Sequence, residues 1–254
     1  MNYDRYIEPF GGAGWVLFHK DPRRDFEVYN DVDGLLVNLY RCVQDKSLLN
    51  QLKEELYYAL NSRQLFEEMV EKLNDPEKGT PIQRAAWFYQ LIRYSYGSNL
   101  TSFGARPYSI QKDFKLFDQA HKRLEKVVVE NKDFEEIIEL YTTPTSLTYC
   151  DPPYHMTEKY YAKFGKACFT EWDHIRLRNA LVTRPGKFLV SYNDDTFVRA
   201  LYDQPGIFLE EITRLNNMKQ KYDPGSQFPE LLIANYDMKE RSKANPQLTL
   251  FESP

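Results

Sequence analysis

Short apolar runs that read as strands alternate with helical stretches along most of the chain, and that alternation confines it to an α/β architecture built on a parallel sheet. Tyr6-Ile7 leads into Glu8-Pro9-Phe10-Gly11-Gly12-Ala13-Gly14, and Trp15 to Lys20 then starts a helix. A strand over Phe26–Tyr29 ends at Asn30-Asp31-Val32-Asp33 and feeds a helix whose apolar residues are Leu35, Leu36, Leu39 and Val43. The rhythm returns with strand Val127–Val129, helix Phe134–Leu140 and strand Ser146–Cys150. Helix Glu171–Leu181 then precedes strand Lys187–Ser191, helix Thr196–Tyr202 precedes strand Ile207–Ile212, and a last strand covers Glu230–Tyr236. These units predict a mostly parallel, doubly wound, Rossmann-like sheet.

One interval breaks the pattern. Residues 46–119 carry no strand signal, only helical stretches and a polar loop from Tyr96-Gly97-Ser98-Asn99 to about Ser109. The expected organisation is therefore a catalytic domain formed by 1–45 and 120–240, an inserted helical subdomain at 46–119, and a polar tail at 241–254. The whole chain has a net charge of -4 and a pI near 5.7, which gives no global nucleic-acid signal. Locally the balance reverses: between Arg84 and Lys126 there are eight Lys or Arg against three acids, interleaved with Tyr94, Tyr96, Phe103 and Tyr108. Such a mixture suits phosphate contacts with stacking at an extruded base, although a solvated helix face accounts for about half of the charges. Arg93, Tyr96, Asn99, Arg106 and Lys112 are the candidates for DNA contact, with Arg214, Lys219 and Lys221 on a second basic loop.

The three cysteines, Cys42, Cys150 and Cys168, have no CxxC spacing, so neither a disulfide framework nor a metal site is expected. No apolar run approaches the length of a membrane span and the N-terminus has no signal-peptide core, so the chain reads as cytoplasmic, with no membrane partner.

Three glycines within four positions let the backbone turn tightly and approach a ligand, though an ordinary strand–helix turn looks the same. The next strand ends in Asp31, where a carboxylate can accept from both hydroxyls of a ribose; capping a helix is the alternative use. After the Val127 strand, Asp133 can accept from an adenine amino group while Phe134 covers the ring, or the pair can simply start a helix. GxGxxG is absent, which disfavours a nicotinamide cofactor.

Asp151-Pro152-Pro153-Tyr154 directly follows strand Ser146–Cys150 and is more specific. Two prolines stiffen the loop at the carboxyl end of a strand. The Asp151 carboxylate and the Pro152 carbonyl can each accept from one exocyclic amino group, which orients its lone pair and stabilises charge developing on nitrogen. Tyr154 offers a face for an extruded base.

Together these segments resemble the Dam-like family of DNA adenine methyltransferases of bacteria and phages. The resemblance implies a Rossmann-like S-adenosylmethionine-dependent sheet with an inserted helical DNA-recognition subdomain, methylating the N6 amino group of a flipped adenine in double-stranded DNA. On it, Glu8, Phe10, Gly11, Gly12 and Gly14 look like the cofactor loop, Asn30-Asp31 like the ribose element, Asp133-Phe134 like the cofactor-adenine element, and Asp151–Tyr154 like the catalytic loop. Arg84-Ala85-Ala86 with Arg93-Tyr94, the Leu189–Asp194 strand end and Glu230–Tyr236 are fainter echoes. Two features depart from the family. Only seven residues precede Glu8, so the usual lysine-bearing glycine segment is missing and weak cofactor binding is expected. The Gly97–Pro107 loop is short and lacks the familiar Asn-Gly-Leu-x-Arg run, so GATC specificity does not carry over. An RNA adenine enzyme, an N4-cytosine enzyme (which commonly carries Ser at the Asp151 position) and a non-catalytic DNA-binding relative are the competing readings. Finally, Gln247-Leu248-Thr249-Leu250-Phe251 resembles the peptide by which bacterial DNA enzymes dock on the replication sliding clamp, with Gln247 at the rim and Leu248, Leu250 and Phe251 as anchors.

Overall fold

The expected alternation is present in the computed structural model, which describes residues 3–21, 26–157, 169–215, 225 and 227–239. In chain order they form β1 (Arg5–Glu8), α1 (Trp15–His19), β2 (Phe26–Asn30), α2 (Gly34–Gln44), α3 (Lys46–Tyr57), α4 (Arg63–Asn74) and α5 (Pro81–Tyr94). After 3-10 turns at Tyr96–Ser98 and Ile110–Asp113 come α6 (Phe114–Leu124), β3 (Val127–Glu130), α7 (Phe134–Tyr141) and β4 (Ser146–Cys150). The last elements are α8 (Glu171–Thr183), β5 (Lys187–Asn193), α9 (Thr196–Tyr202), β6 (Phe208–Leu215) and β7 (Gln227–Ala234). The strands follow the order β3-β2-β1-β4-β5-β7-β6. β2–β3, β1–β4 and β4–β5 are parallel pairs, whereas β7 runs antiparallel to both β5 and β6. No helix of the described residues is long and apolar enough to cross a membrane.

By contacts the chain divides into two compact units. The first takes in residues 1–9, 135–161 and 168–254. Its core is lined by Ile7 of β1, Cys150 of β4, Val190 of β5 and Leu231 and Ile233 of β7, with Leu177 of α8 and Val198 of α9, all fully buried. β7 begins three residues earlier than the sequence suggests and ends two earlier. Gln227 to Pro229 pair with β6 alone, so this stretch is a two-stranded ribbon without the alternation of a core strand. The far end is set by Asn235, whose side chain accepts from the Phe188 amide at 3.0 Å and donates to the Gly186 carbonyl at 2.8 Å, which takes the chain out of the ladder.

The second unit takes in residues 10–134 and 162–167. Here the helical stretches at the start of the 46–119 interval are two helices, α3 and α4. Asn61 and Ser62 separate them, residue types that favour turns and caps over helix interiors. α5 opens on a capping box between Thr80 and Gln83, with Pro81 in the first turn where its missing N–H costs nothing. It packs against α2, α3 and α4, and their interface buries Leu49, Leu52, Leu56, Phe66 and Leu91.

Beside β2 sits a charged group that the apolar pattern does not reveal. Glu27 is 4% exposed and receives both Arg123 terminal nitrogens, at 2.6 and 2.8 Å, and the Lys20 ammonium. Arg123 also donates from Nε to the Leu17 carbonyl at 3.1 Å, so one guanidinium joins α6 to α1 and β2. Burial by itself would raise the Glu27 pKa, but hydrogen bonds from Arg123 and Lys20 overcome it and hold the carboxyl below its usual value. Arg123→Ala is expected to cost about 3 kcal/mol in urea unfolding at neutral pH, the usual scale for breaking a buried pair. Because the folded Glu27 value is the lowered one, this contribution is full above the ordinary carboxylate range and is lost as pH falls through the lowered value. The stability gap between wild type and Arg123→Ala should therefore close in acid.

Candidate active site

In the second unit the strand ends at β2 and β3 assemble a turn-and-loop cluster. The Gly11 amide donates to the Asn30 carbonyl at 2.7 Å, and the Tyr29 hydroxyl donates to the Gly12 carbonyl at 2.7 Å. The Tyr29 ring lies so close to Gly11 that a Cβ there would stand 2.1 Å from it, so residue 11 must be glycine. Gly12 differs: its φ is +48° and a Cβ would meet nothing within 4 Å, leaving open space beside the turn. Asp31 secures this arrangement, one carboxylate oxygen accepting from the Gly12 amide at 2.8 Å and the other from the Asp33 amide at 2.7 Å. Asp33, not Asp31, caps α2, through Leu35 and Leu36.

Asn30 is a residue whose individual role the sequence did not disclose. Buried to 1% exposure, its side chain both donates to the Lys132 carbonyl at 3.0 Å and accepts from the Lys132 amide at 2.9 Å. Asn131 reaches back to the Asp31 carbonyl at 2.7 Å. The loop carrying Asp133 and Phe134 is thereby fixed to the loop carrying Asp31. Asp133 is exposed; Phe134 is buried and stacks on Phe10, with centroids 5.2 Å apart and planes 28° apart.

In the first unit, Asp151 is exposed at the carboxyl end of β4, Pro152 is buried, and Pro153 and Tyr154 are half-buried. The Tyr154 hydroxyl lies 3.1 Å from both Ser191 Oγ on β5 and Glu230 Oε1 on β7. His155 continues the anchoring: Nδ1 is 2.9 Å from Asp195, its ring stacks on Phe197, and its carbonyl accepts from Asn193 at 3.3 Å. Glu8, 2% exposed, accepts from the Tyr6 hydroxyl at 2.8 Å. Burial, then the charges of Asp151, Glu8 and Glu230, push the Tyr149 hydroxyl far up, so it stays protonated. The part played by Glu230 was concealed in the sequence at the head of an apolar run; one acid preceding Leu231–Ala234 was its signal.

The helical interval 46–119 is built around another buried acid. Asp113, 3% exposed, accepts from Tyr108 at 2.6 Å and Tyr89 at 2.8 Å, and pairs with Arg93 Nε at 3.0 Å. Arg93 also hydrogen-bonds Tyr108 and lies 4.3 Å above its ring. Burial and the bond to Asp113 push the Tyr89 pKa up. Arg93 thus has internal partners, whereas Arg106 and Lys112 are exposed. Between Arg93 and Asp113 the chain folds on itself: Tyr96 N donates to Ser102 O at 2.7 Å, Gly104 N donates to Tyr94 O at 2.7 Å, and Ser95 bridges Phe103. Asn99 Oδ1 accepts from the amides of Thr101 and Ser102, while Tyr96 is 62% exposed. Arg214 lies in β6; its side chain, Lys219, Lys221 and all of Gln247, Leu248, Leu250 and Phe251 fall outside the described residues.

The strand order and the alternation of strands and helices define a Rossmann-like α/β fold. Comparison with known proteins narrows the class. A family model for the D12 class of N6 adenine-specific DNA methyltransferases matches residues 1–220. The chain is 30% identical over 271 residues to the type II methyltransferase M.MjaIII of Methanocaldococcus jannaschii, covering 92% of this chain and 89% of that protein. It is 25% identical over 206 residues to the type II methyltransferase M.CviBI of Paramecium bursaria Chlorella virus NC1A, covering 78% and 76% respectively. The chain belongs to the D12 class of N6 adenine-specific DNA methyltransferases. It is an enzyme that methylates adenine in DNA and therefore requires a methyl donor.

Asp113→Ala should leave Arg93 half-buried without its carboxylate and cost about 3 kcal/mol. Limited proteolysis should then cut within residues 96–107 faster than in wild type, because both ends of that loop lose their anchor.

Proposed function

We propose that the chain transfers the methyl group of S-adenosylmethionine to the N6 amino group of an adenine turned out of double-stranded DNA. The observation that carries this reading is the Asp151–Tyr154 loop at the end of β4, with its tyrosine hydroxyl fixed between Ser191 and Glu230. The helical interval 46–119 is the target-recognition subdomain inserted in the catalytic domain.

The open space beside Gly12 and the acids at the ends of β2 and β3 fit the donor. Gly11, Gly12 and Gly14 let backbone approach it, and the Asp31 carboxylate, held beside the glycine turn, accepts from the ribose hydroxyls. Asp133 accepts from its adenine amino group, and Phe10 with Phe134 covers the ring. Glu8 closes the first strand from a buried position. When bound, S-adenosylmethionine supplies an electrophilic methyl group on a sulfonium.

The target amino group donates one N–H to the Asp151 carboxylate and the other to the Pro152 carbonyl, while Pro153 keeps the loop stiff. Two acceptors hold the nitrogen lone pair in line with the incoming methyl group. They also favour the positive charge that appears on nitrogen before its proton is lost. Tyr154 stacks on the extruded base, a contact of about 1–3 kcal/mol. Exposed Arg106 and Lys112 meet phosphates, with Arg214, Lys219 and Lys221 as a second basic contact. Tyr96 and Asn99 sit on the loop that meets the duplex, and Arg93 holds that loop through Tyr108 and Asp113.

Purified enzyme with methyl-labelled S-adenosylmethionine and duplex DNA should yield labelled N6-methyladenine, and Asp151→Ala should abolish it. A variant retaining more than about a tenth of the rate, a barrier change below about 1.4 kcal/mol, would overturn the role given to Asp151.

The tail segment Gln247–Phe251 is read as a ligand of the bacterial sliding clamp, with Leu248, Leu250 and Phe251 entering an apolar pocket. The full chain should bind immobilised clamp with roughly micromolar affinity, about -8 kcal/mol. Changing Leu250 and Phe251 together to alanine should remove that binding.

A further inference from the structure

Glu230 has no assignment in the chemistry above, yet it is a carboxylate buried to 4% exposure and bonded to the residue that stacks on the base. A buried carboxylate is costly, and a glutamine in its place would accept the same hydrogen bond without the charge. The phenol proton of Tyr154 goes to Glu230 Oε1, so the Ser191 hydroxyl, also at 3.1 Å, donates its own proton to the tyrosine oxygen. Burial first, and the nearby Asp151 charge next, raise the Tyr154 pKa, which keeps it a donating phenol rather than a phenolate.

The charge matters because of what happens above the ring. The adenine amino nitrogen takes the methyl group with its own lone pair, so positive charge spreads over the base until the extra proton leaves. An aromatic face attracts a cation through its quadrupole, and a phenol that donates a hydrogen bond to a carboxylate has the more electron-rich ring. We propose that Glu230 is a positioning residue that, through the Tyr154 hydroxyl, both fixes the ring and enriches its face for the cationic transition state of methyl transfer. This rests on the stacking role given to Tyr154.

Single-turnover methylation of duplex DNA, with saturating S-adenosylmethionine, tests it. Glu230→Gln should lower the rate roughly three- to tenfold, the range of one ring–cation contact, with DNA affinity unchanged. Tyr154→Phe should show the same loss, and the double variant no more than either single one. Thermal melting checks that each variant is folded. Should Glu230→Gln prove too unstable, Tyr154→Phe carries the test of the hydroxyl, and a series of increasingly fluorinated phenylalanines at position 154 tests the ring face, where the rate should fall with each fluorine. Losses that multiply in the double variant, a rate indifferent to fluorination, or a fall in DNA affinity alone would overturn the proposal. Tyr154→Ala separates the two levels. Full activity there sinks the stacking role itself, whereas a loss there without one in Glu230→Gln and Tyr154→Phe sinks only the part given to Glu230.

Discussion

Two adjacent side chains at the end of β2 hold the glycine turn and the loop after β3 in their places. Asn30 binds both polar groups of the Lys132 backbone, and Asp31 divides its carboxylate between the glycine turn and the start of α2. Three loops that are distant in sequence thus acquire one common reference point. The geometry depends on the strand end, because only there do the backbone groups of Asn30 and Asp31 cease to be consumed by the ladder and become available to Gly11 and Asn131. The exposed surface of Asp133 and the open side of Gly12 are defined relative to that point.

Buried acids recur across the molecule, and their partners differ with their work. Glu27 faces two cations and acts as a joint between α1, β2 and α6. Asp113 has one cation and two phenols, a mixture that ties the ends of a loop while burying aromatic surface. Glu230 has a phenol as its neighbour on the loop after β4. Two of these sites can be understood as structural ties, since opposite charge compensates the loss of water. The third ties β7 to the loop after β4 through the Tyr154 hydroxyl.

Much of this was legible beforehand. Alternating periods of strand and helix located the elements, because apolar spacing is a local property of the chain. The Asp-Pro-Pro-Tyr loop was legible because prolines at a strand end have few uses. What stayed hidden depends on long-range pairing. Asn30 is separated from Lys132 by about a hundred positions, and nothing at residue 30 announces that its amide will face a backbone there. Glu230 looks like any polar residue at a strand start until the register sets it opposite Asn193, one strand from Ser191 and near the loop after β4. Arg93 shows the same limit. Its setting among aromatics suggests a nucleic-acid contact, and folding adds Asp113, twenty residues on, against its guanidinium.

The loop between Tyr94 and Gly104 closes on its own backbone, with Asn99 bridging the amides of Thr101 and Ser102, and Leu100 held at a left-handed φ of 64°. A surface element shaped by internal bonds has little freedom left to lose when it meets a duplex, and little freedom to adapt. On the reading that this loop meets DNA, the adjustment falls to the nucleic acid. Base steps that bend or unstack easily will reach the loop at lower cost than stiff ones. Discrimination between sites would then come partly from how readily each duplex deforms, at positions no side chain touches.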